Sequence, residues 1–186
     1  MFHVDVSTGL VRSARQCASP NQDARPDPCD ISLLVIHCIS LPPGEFGGDY
    51  VDALFCNRLD VSAHPYFAGL EGLKVSSHLM IDRQGQVTQY VPLCRRAWHA
   101  GVSCWEGRER CNDFAVGIEL EGTDTTPYSD AQYATLVNLT RTLQAAYPAI
   151  VRERIVGHSD IAPGRKTDPG PAFDWERYLA GLTPAS

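Results

Sequence analysis

A histidine, a lysine and an aspartate fall within eleven residues near the end of this 186-residue chain, in Gly157-His158-Ser159-Asp160-Ile161-Ala162-Pro163-Gly164-Arg165-Lys166-Thr167-Asp168-Pro169-Gly170-Pro171. Imidazole and carboxylate are zinc-type ligands. Proline and glycine stiffen and bend the segment, so it reads as a loop that continues neither a helix nor a central strand. A second histidine arriving from elsewhere would complete a metal site. His37 is the candidate, because it closes the apolar run that starts at Ile31. The set His37, His158 and Asp168 gives three protein ligands and leaves a fourth position for water, the count of a catalytic rather than a closed structural site. These ligands are far apart in sequence, and two satisfied core histidines account for the same pattern.

Glu119 is the next residue with chemistry to offer. It lies in Phe114–Glu121, where Val116, Ile118 and Leu120 point one way and Gly117, Glu119 and Glu121 the other. A carboxylate in an apolar strand is costly unless it is paired or functional. Gly117 leaves the space beside it free for a substrate or an activated water, and Glu119 could take a proton from that water and hand it to a leaving amine. Glu121 shares the face, and a partly exposed face whose carboxylates meet arginines explains both residues equally well. Lys166 could stabilise a developing oxyanion or be a solvated loop lysine. Trp98 and His99 could line a groove, or Trp98 could be core. Arg108 and Arg110 could clamp a substrate carboxylate or be surface charges.

These side chains need elements to hold them. Ile31–His37 reads as a strand buried on both faces, and residues 41–48 as a Pro/Gly loop followed by a short helix over Asp49–Cys56. Ser77–Ile81 and Gln86–Val91 flank Asp82-Arg83-Gln84-Gly85 as a hairpin. Ser129 with Gln132 makes a capping box for a helix carrying Leu136, Leu139 and Leu143, stopped at Pro148. Ile155–His158 is a short strand and Asp174–Leu182 a final helix. Residues 1–30 read as largely irregular. The fold class is α/β of the mixed α+β kind: a single domain over residues 1–186, with a central mixed β-sheet flanked by helices. Strand ends of such sheets converge on one functional rim, where His37 and His158 are both expected.

The chain is 44% hydrophobic and 20% charged with a net charge of −6, which disfavours binding to a phosphate backbone. No apolar run reaches the roughly 18 residues of a membrane span, and no secretory signal is visible. Seven cysteines without a Cys-x-x-Cys pair suit reduced thiols rather than a disulfide framework. The expectation is a cytoplasmic protein with no nucleic-acid, membrane or obligate protein partner.

Several long motifs are familiar together: Val35-Ile36-His37-Cys38-Ile39-Ser40-Leu41-Pro42-Pro43-Gly44-Glu45-Phe46-Gly47-Gly48, Ala97-Trp98-His99-Ala100-Gly101, Gly107-Arg108-Glu109-Arg110-Cys111-Asn112-Asp113-Phe114, Gly117-Ile118-Glu119-Leu120-Glu121-Gly122-Thr123-Asp124 and the 157–171 loop. From about Leu10 to the last helix the chain resembles the cytoplasmic bacterial 1,6-anhydro-N-acetylmuramyl-L-alanine amidases. That family belongs to the zinc amidases, whose fold is shared with phage lysozyme-type amidases and peptidoglycan-recognition proteins. The resemblance implies zinc on His37, His158 and Asp168, Glu119 as general base and acid in preference to Glu121, and Lys166 steadying the tetrahedral intermediate. It implies a small muropeptide substrate, cut between the lactyl group of anhydro-muramic acid and L-alanine during peptidoglycan recycling, with low β-lactamase induction as the consequence.

Two positions depart from the family pattern. Cys38 stands where asparagine is common, replacing an amide with a weak thiol donor. Lys74 stands where arginine is common, losing a bidentate fork. Both join Arg110, Trp98 and His99 as substrate-binding candidates, although strand alternation turns Cys38 away from the metal. A non-catalytic peptidoglycan-fragment binder of the same fold is the alternative, and the presence of all three ligand residues argues against it. An amidase acting on intact wall would need export.

Overall fold

The computed structural model describes residues 2–183 and is built around a six-stranded mixed sheet. Its strands are β1 (Arg15–Gln16), β2 (Leu33–Ile39), β3 (Leu79–Ile81), β4 (Val87–Gln89), β5 (Ala115–Glu121) and β6 (Ile155–Gly157). The helices are α1 (Tyr50–Phe55), α2 (Asp130–Ala146), α3 (His158–Ile161) and α4 (Trp175–Leu182). The spatial order is β6-β2-β5-β3-β4-β1. β6, β2, β5 and β3 run parallel, β3 and β4 form the antiparallel hairpin, and β1 adds parallel to β4.

Side-chain parity divides the two longest strands between two cores. Leu34 and Ile36 of β2, with Val116, Ile118 and Leu120 of β5, pack into the cluster that holds Leu136, Leu139 and Leu143 of α2 and Tyr178 of α4. Leu33 and Val35, with Ala115, face the opposite cluster around Ala100, Cys111 and Phe114. His37 and Glu119 continue that second face, since successive residues of a strand alternate sides. They are also direct partners in the ladder, His37 opposite Glu119. All seven residues of β5 are buried, so a layer covers both of its faces.

α2 begins where its capping box dictates. The Ser129 hydroxyl accepts from the Gln132 amide at 3.1 Å, and the Gln132 side chain accepts from the Ser129 amide at 3.0 Å. α4 starts one residue after Asp174, whose carboxylate accepts from the Arg177 amide at 2.8 Å. The hairpin turn has Gly85 at φ +80, the left-handed conformation that favours glycine.

Two expectations need correction and one needs refinement. Residues 2–30 are irregular over most of their length but carry short strands: His3–Asp5 pairs with Leu10–Arg12, β1 edges the main sheet, and Gln22–Ala24 pairs with Arg95–Ala97. Strands of two or three residues are too short to show alternation, and two of them find their partners some 70 positions away. β2 does not stop at His37 but runs to Ile39, because Leu120 and Glu121 of β5 extend its ladder opposite Cys38 and Ile39. The loop after β6 opens with one helical turn, α3, whose start is closed by the Asp160 carboxylate accepting from the Gly157 amide at 2.7 Å. Its first proline, Pro163, lies beyond that turn, so nothing in Ser159–Ile161 prevents a helix.

Candidate metal centre and its cavity

β2 and β6 are neighbours and parallel, so their C-terminal ends deliver His37 and His158 to the same rim. The bend after α3 returns Asp168, and the Ser159 amide donates to the Asp168 carbonyl at 3.1 Å to tie that return to the helical turn. Three atoms then form a nearly equilateral triangle. His37 Nδ1 lies 2.9 Å from His158 Nδ1 and 3.1 Å from Asp168 Oδ2, and His158 Nδ1 lies 3.0 Å from that same oxygen. These three residues are the metal-type cluster among the described residues.

The donor chemistry fits a bound cation. His158 Nε2 donates to the Ala100 carbonyl at 3.2 Å, which leaves the Nδ1 lone pair facing Asp168. His37 Nε2 lies 2.9 Å from His99 Nδ1. Three electron-rich atoms converging at 3 Å repel unless a proton or a cation lies among them. A tetrahedral zinc with bonds of about 2.0–2.2 Å spaces its ligands about 3.3–3.6 Å apart, so the three donors stand a few tenths of an ångström inside the spacing such an ion requires.

Burial sets the electrostatics. It pushes the His37 imidazole down to about 4, against the opposing pull of Asp168. Burial would raise Asp168, but contacts with His158 and His37 outweigh it and hold its carboxyl well below the usual range. Glu119 has no such partner. Burial, then the Asp168 charge, push it well above the ordinary carboxylate range, with Lys166 pulling the other way. Its Oε2 is buried without a hydrogen bond.

A cavity of about 610 Å³ opens over these groups, with His37, Glu119, His158, Lys166, Asp168 and Trp98 in its lining. Glu121, two residues along β5, is a different kind of carboxylate. It accepts from the Gly47 amide and, at 3.0 Å, from the Arg83 amide, so it ties two loops to the sheet. The alternative left open by alternation is thereby divided: Glu121 is the satisfied carboxylate, by amides rather than arginine side chains, and Glu119 is the unpartnered one.

Other candidates are placed less simply. His99 lines the cavity, but its ring also fills the space above Gly117, where an added Cβ would meet His99 Cγ at 2.6 Å. The room expected there for substrate or water is therefore already taken. Cys38 turns its Sγ toward the α2 side of the sheet, 3.6 Å from Asp124 Oδ1, as alternation requires, yet it still contributes to the cavity lining. Lys74 is exposed and borders a separate small hollow with Leu59 and Val61. Arg110 stands at left-handed φ +60, exposed, pairs with Asp113 at 3.5 Å, and borders a hollow with Val102 and Arg165. Neither of these two reaches the cavity; loops that leave the rim carry them outward. Arg108 is engaged by Asp30 and lies over the Phe114 ring at 3.8 Å, so it does not clamp a ligand here. Sequence reasoning missed Asn112 and the Ala100 carbonyl, whose contacts exist only once distant segments meet.

The sequence matches the N-acetylmuramoyl-L-alanine amidase family model over residues 27–171. It is 59% identical to the 1,6-anhydro-N-acetylmuramyl-L-alanine amidase AmpD of Enterobacter cloacae, over 97% of this chain and 96% of that protein. The fold superposes on a crystal structure of a selenomethionine AmpD derivative with a TM-score of 0.93 at 57% identity, covering 97% of this chain and 99% of the other. It also resembles the Escherichia coli amidase AmiD, solved in complex with the substrate anhydro-N-acetylmuramic acid-L-Ala-D-γ-Glu-L-Lys, with a TM-score of 0.61 at 32% identity over 84% of this chain and 59% of that one.

Proposed function

The chain belongs to the N-acetylmuramoyl-L-alanine amidase family, and on that premise we propose that it is a zinc hydrolase. Its substrate is a soluble muropeptide, cut at the amide between the lactyl group of 1,6-anhydro-N-acetylmuramic acid and L-alanine. The setting is cytoplasmic peptidoglycan recycling, and clearance of these muropeptides keeps β-lactamase induction low. The observation that carries the reading is the triangle of His37, His158 and Asp168 beside one buried, unpartnered carboxylate.

Zinc held by His37 Nδ1, His158 Nδ1 and an Asp168 carboxylate oxygen would polarise the scissile carbonyl and bring the pKa of water to about 7. Glu119 supplies the proton transfers. A carboxyl whose pKa is raised by burial is a stronger base than an ordinary one, and it releases its proton more readily near neutral pH than an alcohol or amide would. It takes a proton from the attacking water and passes it to the departing alanine nitrogen. Lys166, at the cavity wall, places a positive charge where the tetrahedral oxyanion develops. Trp98 forms part of the apolar wall of the cavity against which a sugar ring packs.

The test is chromatography with mass detection of anhydro-muropeptide incubated with the zinc-loaded protein. Release of free anhydro-N-acetylmuramic acid and peptide is expected, with no release from insoluble sacculi and none after chelation. A zinc-loaded, folded protein that leaves the soluble muropeptide intact overturns the reading.

A further inference from the structure

The segment Trp98–Ala100 touches both histidines of the metal triangle, and it does so from behind. His99 Nδ1 lies 2.9 Å from His37 Nε2. One residue on, the Ala100 carbonyl accepts from His158 Nε2 at 3.2 Å. The segment is itself pinned. Asn112 Oδ1 accepts from the His99 amide at 3.1 Å and from the Ala100 amide at 2.8 Å. The Ser76 hydroxyl accepts from the Trp98 amide at 3.0 Å. The His99 ring is wedged over Gly117, where no side chain would fit, and packs edge-on against His78 at 5.6 Å between ring centroids.

We propose that His99 is a positioning residue for the metal, fixing the Nε2–H tautomer of His37 so that its Nδ1 lone pair faces His158 and Asp168, with Asn112 holding the segment in register. This rests on the metal reading of His37, His158 and Asp168. A neutral imidazole has one donor nitrogen and one acceptor. If His37 Nε2 donates to His99 Nδ1, then His37 Nδ1 is left free to bind, and His99 carries its own proton on Nε2, a buried nitrogen with no acceptor in the structure. The same segment thus orients one ligand through a side chain and the other through a backbone carbonyl, so both are set by one rigid unit. Hydrogen-bond partners of metal-bound histidines typically change metal affinity by about 10–100-fold when removed.

Asparagine and glutamine variants discriminate the geometry, because Asn Oδ1 occupies the place of His Nδ1 whereas Gln Oε1 reaches the place of Nε2. The experiment is zinc affinity by chelator competition, with thermal unfolding of the metal-free proteins alongside. His99→Leu is expected to bind zinc about 10–100-fold more weakly. His99→Asn should recover most of that affinity and His99→Gln little of it. Ring 15N shifts of the zinc-loaded wild type should show His37 protonated at Nε2. Equal zinc affinity in His99→Leu and wild type overturns the inference alone, as does a His37 protonated at Nδ1. Parallel losses in the Asn, Gln and Leu variants that track only their unfolding temperatures also overturn it, since that is a packing role. A wild type that binds no divalent ion overturns the metal reading and this inference with it.

Discussion

Glu119→Gln should separate stability from activity in opposite directions. Glu119 is 8% exposed, its Oε2 has no partner, and Asp168 adds a second negative charge nearby. Its pKa in the folded chain is raised above the unfolded value, so the folded state favours the protonated form. The sign follows: the carboxyl does no harm below the ordinary carboxylate range, and it costs stability as pH rises from there through its raised folded pKa. At pH 7.5 the metal-free wild type therefore carries a penalty that the neutral amide lacks. A neutral polar group buried without a partner costs about 1–3 kcal/mol and a charged one more, and the amide relieves only that excess. For a domain of this size each kcal/mol moves the melting temperature by about 2–4 °C, so a 2 kcal/mol relief raises it by about 4–8 °C. The assay is thermal unfolding of both proteins in chelator at pH 7.5 and again at pH 4, with amidase turnover measured after zinc loading. The variant should be more stable at pH 7.5, indistinguishable at pH 4, and almost inactive. A gain that persists unchanged at pH 4 would come from packing and refute the titration argument, and a variant of lower stability at pH 7.5 would refute the burial cost itself.

Asp168→Ala removes the anionic member of the triangle and should leave a protein that retains no stoichiometric zinc on dialysis, read by elemental analysis. If Lys166 stabilises the oxyanion as proposed, Lys166→Met should lower kcat by about 10²–10³-fold with little change in zinc content, since the residue is an exposed part of the cavity wall. Glu121→Ala should do the reverse. It frees the Gly47 and Arg83 amides and should cost about 1–3 kcal/mol in urea unfolding, while kcat stays within a few fold of wild type; a loss of turnover as deep as that of Glu119→Gln would contradict the division of the two carboxylates.

Much of the scaffold was legible because local rules decide it. The Ser129/Gln132 box and the Gly85 turn depend on contacts three or four residues apart, and each lies where the sequence puts it. The alternation of β5 was likewise legible, since parity needs no partner. The early strands were not: Gln22–Ala24 has no pattern of its own and exists because Arg95–Ala97 passes beside it. Lys74 and Arg110 illustrate the same limit for function. Their side-chain chemistry suits a carboxylate, but the loop path takes both away from the cavity, and no residue type or spacing reports that path.

For this chain the sequence by itself determined the kinds of groups available, the faces of the strands that carry them and, through its motifs, the family. Residue types and spacing alone left His37 and His158 as either core or ligand and Glu119 as equivalent to Glu121, and only the family resemblance preferred one reading of each. Tertiary structure adds the distances and partners that bear on both questions. Parallel pairing of β6 with β2 brings two imidazoles separated by 121 positions to 2.9 Å, and the fold of the loops supplies amides to Glu121 while leaving Glu119 without any. The reason is that ligation and proton transfer depend on distance and on which neighbours remain unsatisfied, and both are properties of the packed chain rather than of any segment of it.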